Sequence, residues 1–161
     1  MPVTLHRTSI IPARPDRVWN RIASAEGING ELAPLMRMTV PEGLKDKTID
    51  DVELGKPLGR SWFLLAGLLP FDYDDIVLAE REKGCRFRET SSMLSIRSWQ
   101  HERTLRAVDA GTEVTDRISF ELRWPFSAIP GMAEFVTRVL TFLFEHRHRR
   151  LAEWFERRGD N

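Results

Sequence analysis

Three residues late in the chain, His101, Arg103 and Asp116, have the types and spacing that acid-base or ion-pair chemistry needs. His101 and Arg103 are two positions apart, so on an extended strand they share one face. Val108 to Gly111, with Asp109 and Gly111, reads as the loop of a hairpin joining Ile96 to Val108 with Gly111 to Leu122. If Ala107 pairs with Thr112, the outward pairs become Glu102 with Arg117, Thr104 with Thr115 and Arg106 with Glu113, each favourable across antiparallel strands. The other face then sets Leu105 against Val114, His101 against Ile118, Trp99 against Phe120 and Arg103 against Asp116. A charge pair on an apolar face is costly unless both members are partnered. Such a group could hold a ligand carbonyl or carboxylate. With His101 as general acid or base it could promote an aldol-type ring closure. The competing role is structural, a buried ion pair beside a half-buried histidine. Glu89 and Asp74, from neighbouring strands, are candidates to join it.

A face of this kind needs a cover, and Pro130 to Arg158 supplies one uninterrupted helical pattern. Roughly 28 residues rising about 1.5 Å each make a rod of about 40 Å, long enough to span a curved sheet. Met132, Phe135, Val136, Val139, Leu143 and Trp154 form its apolar side. Glu134, Arg138, Thr141, Glu145, Arg149 and Glu156 fall on the wet side. His146 and Arg150 sit near the middle of the apolar stripe, where they would guard a cavity mouth, bind an acidic ligand group, pair with a sheet carboxylate or lie beyond the sheet's end in solvent. His148 is placed outward on the same wheel. A metal site from His146 and His148 is disfavoured, because an i, i+2 spacing puts them on different helix faces.

The rest of the chain supplies the sheet. Val3 to Ile11 is a first strand ending at Pro12. Pro15 suits a first helical turn, and Val18, Trp19 and Ile22 give that short helix an apolar patch. Ser24 is an N-cap for a second short helix whose extent Gly27 and Gly30 limit. Leu35 to Val40 reads as a strand and Pro41 to Pro57 as a loop or irregular hairpin. Ser61 to Leu69 is apolar, and within it Trp62 to Leu69 reads as a strand feeding a hairpin or an exposed apolar turn for a membrane or partner. Phe71 to Arg81 and Arg86 to Ser92 are strands around a Glu82, Lys83, Gly84 turn.

Composition narrows the classes. The chain has 161 residues with 24 basic and 24 acidic, a net charge of zero that argues against nucleic acid held by bulk electrostatics. No linker-like stretch divides it, so residues 1–161 read as one domain. Cys85 is the lone cysteine, excluding an intramolecular disulfide and a multi-cysteine zinc site. No signal-like h-region and no run of eighteen apolar residues occurs, pointing to a cytoplasmic protein without a membrane span. Phosphate-binding glycine loops, nucleophile elbows and HExxH motifs are missing, and no cofactor or metal is expected.

Strand, two short helices, antiparallel meander and long terminal helix is the order of the helix-grip fold. IPARPDRVW at Ile11 to Trp19 is similar to the opening of the START-like superfamily (SRPBCC), which includes Bet v 1-like proteins and polyketide cyclases. GTEVTDRISFEL at Gly111 to Leu122 and FEHRHRRLAEWF at Phe144 to Phe155 resemble the final strand and terminal helix of its bacterial members. The resemblance implies an α+β fold, a curved antiparallel sheet wrapped around the C-terminal helix with a cavity between them. Candidate lining residues are Trp62, Phe71, Phe87, Glu89, Trp99, His101, Arg103, Leu105, Asp116, Ile118, Phe120, Val139, Leu143 and His146. The expected partner is a small hydrophobic molecule such as a lipid, an isoprenoid or an aromatic polyketide-like compound, bound by a monomer or homodimer. Two alternatives share the fold: a cyclase or dehydratase using His101, Arg103 and Asp116, and a regulatory protein-interaction domain whose cavity is filled.

Overall fold

The computed structural model describes residues 1–159. In chain order its elements are β1 (Val3–Ile11), α1 (Pro15–Ile22), α2 (Ala25–Leu32), β2 (Met36–Met38), β3 (Pro57–Leu65), β4 (Leu69–Glu82), β5 (Arg86–Met93), β6 (Ile96–Val108), β7 (Gly111–Leu122) and α3 (Met132–Arg158). All seven strands form one antiparallel sheet in the order β1-β7-β6-β5-β4-β3-β2. Strands β2 to β7 are successive neighbours, and β1 returns to the far edge beside β7. Helix α3 packs against β1 and α2, giving the helix-grip architecture. No helix among the described residues is long and apolar enough to cross a membrane.

Local chemistry explains the pieces that position the site. Ser24 caps α2 by accepting from the Gly27 amide at 3.0 Å. Gly27 and Gly30 do not stop that helix, which runs on to Leu32. Gly27 is instead where α1 and α2 touch: a Cβ there would sit 1.7 Å from the Arg21 carbonyl oxygen. The β6–β7 register is the one the alternation dictates, with Ala107 opposite Thr112, Arg103 opposite Asp116 and His101 opposite Ile118.

Strand β3 carries an irregularity that changes what faces inward. Its pairing with β4 shifts between Pro57 and Gly59, where Gly59 has φ +105. A bulge advances the side-chain phase by one residue. Leu58 points in before it, and Ser61, buried, and Phe63, which lines the interior, follow it.

The interior has two apolar clusters. One, around Trp19, Ile11, Leu78, Phe87, Leu151 and Phe155, joins the short helices to the end of α3. The other gathers Trp99, Ile118, Phe120 and Phe144 under the middle of α3. The buried stripe of the helix is therefore Phe144, His148, Leu151 and Phe155, at three- and four-residue spacing. Glu134, Arg138, Thr141, Glu145, Arg149 and Glu156 are exposed, as the wheel predicts. Phe135 and Val139 are not buried by the sheet; they stand 61% and 47% exposed.

Candidate functional site

Asp116 on β7 is fully buried and accepts four hydrogen bonds. Its Oδ1 takes Arg103 Nε and His101 Nε2, each at 2.7 Å. Its Oδ2 takes Arg103 Nη2 and His148 Nε2, also at 2.7 Å. Arg103 then reaches across to α2, where Nη1 donates to Glu31 Oε1 at 2.7 Å and Nη2 to Oε2 at 3.2 Å. Arg147 of α3 donates to the same Glu31 Oε2 at 2.9 Å. His101 Nδ1 meets Glu89 Oε1 at 3.1 Å, and His148 Nδ1 meets Ser9 Oγ at 2.5 Å. One polar network thus ties β1, α2, β5, β6, β7 and α3 together.

Its charges balance. Burial would raise the Asp116 carboxyl, but Arg103 and His101 hold it well below the usual range. Burial likewise opposes ionisation of Glu31 and Glu89, and their partners win: Arg103 and Arg147 lower the first, His101 the second. For His101, burial alone would favour the neutral ring, yet Asp116 and Glu89 on its two nitrogens raise it. An imidazole between two carboxylates donates from both nitrogens and is an imidazolium. Three carboxylates are then met by two guanidiniums and one imidazolium, the compensation a buried charge cluster requires.

That saturation limits the chemistry. His101 keeps no lone pair for a substrate proton, and Asp116 has both oxygens occupied. His101, Arg103 and Asp116, for which the sequence left catalytic and structural roles open, form a braced ionic cluster with one wall on a cavity.

The cavity lies between the sheet and the first half of α3 and holds about 620 Å³, within the roughly 300 to 1,000 Å³ range of small-molecule sites. Its walls are mostly apolar, from Ile22 and Leu58 at the inner end to Phe63, Trp99, Val136 and Leu143. Around the opening Leu65, Phe71, Leu94, Phe135 and Phe142 are each about half exposed. Asp72, Asp74, Ser95, Glu89, His101, Arg103 and Arg147 supply its polar groups.

Of the residues expected to line this space, Phe71, Phe87, Glu89, Trp99, His101, Arg103, Val139 and Leu143 do. Asp116, Ile118, Phe120 and Leu105 are buried behind the wall. Trp62 is a correction: the bulge in β3 turns it to the outer face, where it is 44% exposed and packs edge-on against Tyr73. His146 is buried away from the large cavity, and Arg150 is half-buried outside it; neither meets a sheet carboxylate. They donate to carbonyl oxygens of the α2 region, Ala33 at 2.8 Å and Gly30 at 3.3 Å. His148 is the second correction, buried against Asp116 rather than outward, because the helix stripe that meets the sheet is centred on Phe144 and Leu151.

The profile of the family described as Domain of unknown function (DUF8410) matches residues 9–155. The chain belongs to that family. No curated protein matches it. Among solved structures, the Zhui aromatase/cyclase from Streptomyces sp. R1128 superposes with a TM-score of 0.69 at 15% identity, covering 99% of this chain and 96% of that one. A START superfamily protein from Mycobacterium smegmatis gives 0.67 at 10%, with 96% and 97% covered. Ara h 8.0201 gives 0.60 at 11%, with 95% and 99% covered. At these identities the likeness establishes the START-like, Bet v 1-like fold of this DUF8410 member.

Three members of the site carry no inward mark in the sequence: Glu31, Arg147 and His148. Arg103 held the signal for Glu31, since a buried guanidinium with five donors cannot be satisfied by one carboxylate. Asp74 lies on the inward parity of β4, with Asp72, Ile76 and Leu78.

Proposed function

We propose that this DUF8410 protein binds a small hydrophobic molecule, such as a lipid, an isoprenoid or an aromatic polyketide-like compound, between sheet and helix. The carrying observation is the apolar cavity of about 620 Å³ with half-exposed aromatic and aliphatic side chains at its opening. Soluble proteins rarely leave such surface uncovered without a use for it. Native mass spectrometry and organic extraction of the protein purified from a lipid-rich host test the reading. A stoichiometric small molecule is expected. An empty protein that also ignores added hydrophobic fluorophores would contradict it.

A second reading, a cyclase or dehydratase, has one observation in its favour. Asp74 is a cavity-wall carboxyl that burial, followed by the Glu89 charge, pushes up to about 8, and such groups serve as acids near neutral pH. The saturated hydrogen bonding of His101 and Asp116 weighs against an acid-base role for either. An open cavity likewise weighs against a pure interaction domain.

A further inference from the structure

The cavity has a polar point that nothing among the described residues satisfies. Asp74 is 3% exposed, and its Oδ1 has no hydrogen-bond partner among the described residues. Two of its neighbours are already committed. Ser61, opposite on β3, spends its hydroxyl proton on the Thr39 carbonyl. Asp72 accepts from the Tyr73 and Leu94 amides and from Ser95. The Ser91 hydroxyl on β5 is near enough to ease ionisation of Asp74 without reaching hydrogen-bond geometry. A buried orphan of this kind costs stability unless something fills it.

The charges around it decide what can. Asp72, Asp75 and Glu89 all bear on Asp74 with negative charge. Glu89 gives Oε1 to His101 and Trp99 while its side chain stays 24% exposed. Of the cations on the wall, Arg103 is held by Glu31 and Asp116, His101 by Asp116 and Glu89, and Arg147 gives its Nε to Glu31. A carboxylate brought up to Asp74 would meet the charges of Asp72, Asp75 and Glu89 there.

We propose that Asp74 is the ligand-recognition point of the cavity, donating to a neutral oxygen of the ligand, so that the protein takes hydrophobic alcohols or ketones and rejects the corresponding carboxylates. This rests on the cavity-binding reading above and narrows it. Free fatty acids fall outside the class; hydroxylated or keto isoprenoids and polycyclic compounds fall within it. Asp74 carries its proton at neutral pH because burial and the adjacent acids disfavour its charge.

The test uses three fluorescent probes of one shape at pH 7: anthracene, 9-anthracenemethanol and 9-anthracenecarboxylate, titrated into the wild-type protein, Asp74→Leu and Asp74→Asn. The alcohol is expected to bind at least tenfold more tightly than the carboxylate and more tightly than the hydrocarbon. Asp74→Leu should erase the alcohol's advantage over anthracene while anthracene still binds. Asp74→Asn, which can still donate, should keep most of it. Equal binding of all three probes, or preference for the carboxylate, overturns the inference and leaves the cavity reading standing. Failure of every probe to bind overturns both.

Discussion

The two halves of α3 face opposite problems. From Phe144 onward one face of the helix is buried, and His146, Arg147, His148 and Arg150 are tied to the Asp116 cluster or the α2 carbonyls. Before Phe144, large apolar residues stand half exposed over an open cavity. A stable protein can bury charge at one end of a helix only by compensating it fully. It can leave apolar surface open at the other end only by accepting weaker packing there. The difference teaches that fold and binding are carried by separate stretches of one element: the ionic end sets the shape that the apolar end leaves unfilled.

Substitutions can break that separation. The largest effect is expected from Arg103→Leu, which leaves Glu31 with Arg147 alone and removes two of the four donors to Asp116. Denaturant unfolding should show a loss of about 3 to 5 kcal/mol. Unchanged stability would mean the cluster does not hold the two ends together.

At the other end, Val139→Asp places a charge on the half-exposed cavity wall. It should lower affinity for anthracene about tenfold, roughly 1.4 kcal/mol, while changing stability by less than about 0.5 kcal/mol. Equal damage to folding and binding would merge the two regions into one.

The pH response sharpens the contrast further. Asp116, Glu31 and Glu89 are lowered in the fold, so their stabilisation is present above the ordinary carboxylate range and lost as pH falls through their folded values. His101 is raised, so its contribution is present below about 6.5 and is lost as pH rises through its folded value. Asp74 is a raised acid: the native state holds a proton the unfolded chain has released, so stability declines as pH rises from 3.8 toward about 8. Thermal melts across that window should show a shallower decline for Asp74→Asn than for wild type. Identical slopes would place Asp74 in an ordinary ionised state.

The smallest effect is expected from Trp62→Ala. Its ring sits on the outer face of the sheet, so probe affinity should not change, and a drop would return it to the cavity wall.

What was legible in the sequence follows the same division. The order of elements, the β6–β7 register and the Arg103–Asp116 pair were readable because alternation and cross-strand charge are local signals. Glu31 was not, since it meets Arg103 across 72 residues of chain and sits in a glycine-containing helix with little amphipathic pattern. Trp62 was misplaced because Trp62, Phe63, Leu64 and Leu65 are all apolar, so alternation does not tell the two faces of β3 apart. His148 was misplaced because the apolar residues of the first half of α3, which face the cavity, pulled the wheel away from the stripe that meets the sheet.

The most direct test of the account is a methyl-resolved NMR titration of the wild-type protein with 9-anthracenemethanol. Shifts are predicted at Ile76, Leu78, Val139 and Leu143, which line the cavity, with Val114 and Leu151 in the closed end unmoved. No methyl shifts, or shifts centred on Val114 and Leu151, would contradict the claim that the open half of α3 is the binding half.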